Sequence, residues 1–120
     1  MALEIGAKEA KRLLEEGKAI ALDVREREEI EFASIGEHIW IPMHELARRY
    51  TELPRGKLII AVCRSGSRSG SATAFLSSKG LEVKNLKGGI IAWGREVDSK
   101  VRPYVYGWEG DTITVKEIKN

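Results

Sequence analysis

Cysteine is nearly missing from this chain: Cys63 stands alone among 120 residues. That excludes an internal disulfide, and with only His38 and His44 to join it the cysteine has too few partners for a zinc site. An excess of one charge is missing as well. The 20 lysines and arginines are offset by 18 aspartates and glutamates, and the two signs are interleaved. A net charge of +2 spread in this way argues against an extended nucleic-acid or membrane footprint, so any positive field that matters must be local. No apolar run approaches the ~18 residues of a membrane span. The first residues also lack a basic stretch leading into an apolar one, so no secretory signal is expected and a cytoplasmic location is. Internal repeats and low-complexity linkers are likewise not found. What is present, 42% apolar and 32% charged residues over this length, suits one core in one compact domain.

Ala7, Ala10, Leu13 and Leu14 recur at helical spacing between charged residues and end at Gly17, which predicts an amphipathic helix with a glycine stop. Ala19 to Val24 is almost continuously apolar, the pattern of a strand covered on both faces. A charged segment from Arg25 to Glu31 reads as a short helix, Ile39-Trp40-Ile41 as a short strand closed by Pro42, and His44 to Tyr50 as one or two helical turns. Pro54-Arg55-Gly56 turns the chain into Leu58 to Val62, a central strand. Ala72, Phe75 and Leu76 mark the next helix, Glu82 to Leu86 an edge or inner strand, and Gly88-Gly89 leads into apolar Ile90-Ile91-Ala92-Trp93. Strands alternating with helices predict an α/β fold, an open and mostly parallel β-sheet with helices on both faces. Ligands in such folds bind beyond the carboxyl ends of the strands, which is where Cys63 falls.

The stretch from Leu58 to Ser71 carries the chemistry. The strand stops at the cysteine, and Arg64, Ser65, Gly66, Ser67 and Arg68 lead at once into a helix. Gly66 and the serines let backbone N–H groups turn inward, the helix adds its unpaired N–H groups and positive end, and two arginines add full charges. The pattern predicts a sulfur that carries negative charge in an anion cradle. The bland alternative is a cysteine that merely fills the core at a strand end. Asp23 and Arg25 have a structural reading, with Arg25 pairing Glu29 or another carboxylate to pin a buried turn, beside one of direct catalysis.

The ordered set Cys63-Arg64-Ser65-Gly66-Ser67-Arg68-Ser69, then Ala72, Leu76, Gly80, Val83, Leu86, Gly88-Gly89-Ile90 and Trp93, resembles the active-site loop and C-terminal half of rhodanese-like sulfurtransferase domains. Upstream, Leu22-Asp23-Val24-Arg25-Glu26 with Glu29-Ile30 looks like the family's D-V-R-x-x-x-E-F signature, and Ile41-Pro42 with Glu45-Leu46 like its I-P-x-x-E-L segment. The resemblance covers residues 5 to 97. It departs before the third strand, where the family's usual Gly-His falls on Ala33-Ser34 and its Gly-Ala on Glu37-His38. His38 is therefore not at the family's histidine position and is read as a surface or strand-start residue, a base or acceptor contact being the alternative.

The resemblance implies a rhodanese-like domain over 1-97 and a catalytic Cys63 that takes sulfane sulfur from a small-molecule donor such as thiosulfate. A persulfide forms and passes its sulfur to cyanide or a thiol, with no cofactor; a protein sulfur acceptor is also possible in such domains. Arg64 or Arg68 would dock the donor's sulfonate through paired hydrogen bonds, with Ser65, Gly66 and Ser67 completing the binding loop and Asp23 and Arg25 supporting it. Two rivals stand beside this reading. Cysteine phosphatases and arsenate reductases also use a cysteine in an anion loop, but the phosphatase pattern puts arginine six positions after the nucleophile, whereas Arg68 is five after Cys63 and Ser69 is sixth. The smaller ring suits one sulfur atom better than a phosphoryl group. A non-catalytic or carrier-type module that binds a protein partner is the other, against which the retained cysteine weighs. Residues 98-120 lie beyond the family pattern and suggest a β-hairpin: Tyr104-Val105-Tyr106, a turn over Gly107 to Asp111, and Thr112 to Val115. It is expected to cap the same domain, with a dimer or partner surface formed by Trp108 and the tyrosines as the alternative.

Overall fold

A computed structural model describes residues 3–118. Seven strands, five α-helices and one 3-10 turn follow in the order β1 (Glu4–Ile5), α1 (Ala7–Glu15), β2 (Ala19–Asp23), α2 (Arg27–Phe32), β3 (Ile39–Trp40), α3 (Met43–Arg49) with the turn Tyr50–Glu52, β4 (Leu58–Val62), α4 (Ser67–Ser78), β5 (Val83–Leu86), α5 (Gly89–Glu96), β6 (Tyr104–Glu109) and β7 (Thr112–Glu117). The first five strands form one parallel sheet in the order β1-β5-β4-β2-β3, and β6 and β7 pair antiparallel as a separate hairpin.

The near-continuous apolar runs of β2 and β4 are explained by helices on both faces of the sheet. Because side chains alternate along a strand, Ile60 and Val62 pack with Ala7 and Ala10 of α1 and Ile90 and Trp93 of α5, whereas Ile59, Ala61 and Cys63 pack with Leu46 of α3 and Ala72 and Leu76 of α4. The same alternation that builds two cores thus sends the sulfur toward α4. β5 is an inner strand, because two residues, Glu4 and Ile5, pair with Asn85 and Leu86 outside it. A two-residue strand has no periodicity to detect, and β1 has no counterpart in the sequence reading. The hairpin differs too. Gly107, Trp108 and Glu109 belong to β6, and only Gly110-Asp111 remains as the turn, since Tyr106 faces Val115 and Trp108 faces Ile113 across the ladder. The cross-strand aromatic and β-branched pairs favour extending the strands over a wide loop. No helix among the described residues is long and apolar enough to cross a membrane.

Candidate active site

Cys63 follows the last residue of the central strand, and Gly66, the residue before α4, turns the chain with φ of +106°. That backbone shape is one a side chain resists. The turn brings the Gly66 N–H to 3.1 Å from Sγ of Cys63. Ser69, one turn into α4 and fully buried, places its hydroxyl oxygen 3.2 Å from the same sulfur. Two polar groups therefore converge on an atom that is otherwise among apolar neighbours, with the whole residue 1% exposed.

The loop's carbonyls point the other way. Those of Cys63 and Arg64 accept hydrogen bonds of 2.9 and 3.1 Å from the N–H groups of Ile90 and Ile91 in the first turn of α5. With those carbonyls occupied on that side, the Gly66 N–H faces the sulfur. Gly89 is what permits the approach: a Cβ there would overlap the backbone of Cys63 and Arg64. The double glycine thus has a mechanical task. Asn85 on β5 holds the loop from below, donating through Nδ2 to the Gly66 carbonyl at 3.0 Å and accepting from the Ser69 hydroxyl at 2.6 Å.

A buried polar chain stands beside the loop. Asp23 accepts from Nε and Nη2 of Arg25 at 2.9 and 2.7 Å and from the Arg25 backbone N–H at 3.0 Å. Arg25 also donates through Nη1 to the Tyr104 hydroxyl at 2.9 Å, and that hydroxyl donates to Oε2 of Glu29 at 2.7 Å. Glu29 in turn receives both terminal nitrogens of Arg68, each at 2.7 Å, and the Glu26 N–H at 3.2 Å. Arg25, Tyr104 and Glu29 are each 0% exposed. A buried carboxylate is expensive unless every lone pair is met, and here four donors meet it. Burial works to raise the pKa of Glu29, but the Arg68 fork and the Tyr104 hydroxyl outweigh it and hold the carboxyl below the ordinary range. Burial also pushes the Tyr104 phenol up, so it remains a donor.

Arg25 is thus pinned by Asp23, the "other carboxylate" of the sequence reading, while the Glu29 carboxylate goes to Arg68 instead. From the sequence, Arg68 reads as a cradle charge and a donor-docking group and Glu29 as a partner for Arg25, whereas Ser69, Asn85 and Tyr104 carry no site role. Glu29 and Ser69 were visible inside the quoted motifs; Asn85 and Tyr104 come from a distant strand and the C-terminal hairpin and carry no local signal. Arg64 donates through Nε to the Tyr104 carbonyl at 2.5 Å. Ser65 and Ser67 are exposed on the rim. His38 hydrogen-bonds the Gly36 carbonyl at 2.7 Å at the start of β3 and is not part of this cluster.

Residues 6–96 match the family model for the rhodanese-like domain. The chain belongs to the rhodanese-like domain family. Within it, a protein named sulfurtransferase from Allochromatium vinosum is 38% identical over 87 residues, which are 72% of this chain and 81% of that one. A protein named adenylyltransferase and sulfurtransferase UBA4 from Yarrowia lipolytica is 39% identical over 90 residues, but the match takes up only 22% of its length. The solved structure of a rhodanese-related protein from Thermoplasma volcanium superposes with a TM-score of 0.74 at 36% identity, covering 78% of this chain and 92% of that one. The open parallel sheet with its flanking helices is therefore the rhodanese-like fold. The hairpin over 104–117 lies outside the matched residues of the family model.

Proposed function

We propose that this rhodanese-like domain is a sulfurtransferase that carries sulfane sulfur on Cys63. The observation that supports it best is the convergence of the Gly66 N–H and the Ser69 hydroxyl on Sγ at the mouth of a helix, with the cysteine at the floor of the loop. In the first step the Cys63 thiolate attacks the outer sulfur of a donor such as thiosulfate. The S–S bond of the donor breaks, its electron pair leaves with sulfite, and a Cys63 persulfide remains. In the second step an acceptor thiolate or cyanide attacks the outer sulfur, and the electron pair of that bond returns to Cys63. Every species at the loop is an anionic sulfur, which fixed N–H groups, a hydroxyl and a helix N-terminus stabilise without reorganising.

The tight enclosure of Sγ favours a donor whose terminal sulfur is slim and projects ahead of the rest. A protein-borne thiol is included among the acceptors, because the same type of domain occupies part of a longer adenylyltransferase and sulfurtransferase. A cytoplasmic setting, where thiols stay reduced, suits this chemistry.

Two measurements test the reading. Incubation with thiosulfate should add the mass of one sulfur atom, and a thiol should remove it. Cys63→Ser should keep the fold but lose both the adduct and thiosulfate:cyanide transfer; transfer by that variant would show that the sulfur travels by another route.

A further inference from the structure

Both loop arginines of this chain are held by the hairpin or through it, although the hairpin is not part of the matched family domain. They are held differently. Arg68 lends both terminal nitrogens to Glu29, and its guanidinium lies 4.6 Å from the centre of the Tyr106 ring on β6. The carboxylate of Glu29 balances the charge of Arg68. A cation paired in this way offers an incoming anion little net attraction. Arg64 is tethered through Nε alone, to the Tyr104 carbonyl, with its guanidinium 5.7 Å from the Tyr104 ring. Among the described residues no carboxylate pairs with Arg64, and its two terminal nitrogens have no partner. A carbonyl fixes the direction of a guanidinium without cancelling its charge. The two remaining nitrogens form a planar fork of the kind that grips two oxygens at once.

We propose that the hairpin is a working part of the sulfur-transfer site, in which Tyr104 is the positioning residue that aims Arg64 at the oxygens of an oxyanionic sulfur donor while Arg68 serves as a brace on Glu29. The assignment rests on the sulfurtransferase reading above. It makes donor affinity a property of residues 64 and 104 together and separates it from the electrostatics at the sulfur.

Steady-state transfer from thiosulfate to cyanide tests it, with methanesulfonate as a competing sulfonate that has no sulfur to give. Arg64→Gln should raise the thiosulfate KM and the methanesulfonate inhibition constant on the order of tenfold or more, the worth of a hydrogen bond to a charged group, while kcat moves less than about threefold. Arg64→Lys, which restores charge without the fork, should recover part of the loss. Arg68→Lys should lower thermal stability, and a rise in KM matching that of Arg64→Gln would overturn its assignment as a brace. Ile113→Ala loosens the hairpin at a buried anchor and should raise the KM alone but add little in the Arg64→Gln background, as expected when two changes act through one contact. A wild-type KM in Arg64→Gln overturns the docking role, and additive effects in the double variant overturn the part played by the hairpin. Failure of the unmodified chain to take up sulfur from thiosulfate would instead remove the underlying reading, so the two failures are distinguishable.

Discussion

The hydroxyl of Ser69 has one hydrogen and two claimants, Oδ1 of Asn85 at 2.6 Å and Sγ of Cys63 at 3.2 Å. When charge gathers on the sulfur, turning that hydrogen toward it stabilises the anion at the expense of the amide contact. Ser69→Ala should therefore slow persulfide formation about tenfold while the adduct still forms, the loss of one hydrogen bond to a charged acceptor; rapid mixing with thiosulfate followed by mass analysis reads it. Glu29 sets a different dependence. Its carboxyl is held below the ordinary 4.5 in the folded chain, so its contribution is fully present above that value and is lost as pH falls through the folded pKa. Denaturant unfolding between pH 7 and pH 3 should show the wild-type midpoint falling below about pH 4.5. Glu29→Gln should begin lower at neutral pH, by up to the ~3–5 kcal/mol of a broken buried pair, and then fall less steeply. At this scale the sequence was most legible where chemistry and position coincide: Cys63 directly follows a strand, and Gly66 stands three residues on, just before a helix. Arg25 and Glu29 were less so, because which carboxylate meets which arginine is decided by the tertiary placement of α2 against α4.

Among the elements, the loop between β4 and α4 owes its shape to α5 as much as to its own residues. The first turn of α5 takes the loop's carbonyls, and it fits only because Gly89 lacks a side chain. Gly89→Ala should cost more than 2 kcal/mol, since the obstruction is backbone and the glycine has φ of +61°. Activity should fall further than stability because the N–H at the sulfur moves with the loop. Gly107→Ala is the control: open space surrounds it, and a change within about 0.5 kcal/mol is expected in thermal unfolding. The major helices and strands could be read from periodicity, as α1 and β4 illustrate, since their apolar spacing is long enough to be unambiguous. β1 and the true length of β6 could not, because one gains its identity only by pairing with β5 and the other by pairing with β7.

For the molecule as a whole, the question is whether residues 98-120 stand apart from 1-97, and we propose that they fold as one cooperative unit. Val101, Tyr104 and Ile113 are buried, Tyr104 against Phe32 with ring centres 5.5 Å apart, and the Tyr104 hydroxyl completes the polar chain between Arg25 and Glu29. Ending the chain after Val97 would strip two buried charged groups of a partner and uncover apolar surface. Such a truncation should lose its sharp thermal transition or melt at least 10 °C lower by circular dichroism, a shift on the order of 2 kcal/mol for a domain of this size. A truncated chain as stable and active as the full one would overturn that unity. The hairpin was foreseen from its turn residues, but its link to the loop was not, since nothing local in Tyr104 points 79 residues back to Arg25.

The depth of Cys63 has a consequence for how the protein ages. A disulfide between two copies needs the α-carbons of their cysteines within about 7 Å of each other, and a sulfur on a residue only 1% exposed cannot meet its twin without opening the loop. The unloaded sulfur is thereby screened from dimerisation and from bulky oxidants. In the proposed persulfide the outer sulfur would stand about 2 Å further along the S–S bond, and it would be the atom that air and peroxide reach first. Oxidative wear should then fall on the cargo and not on the carrier.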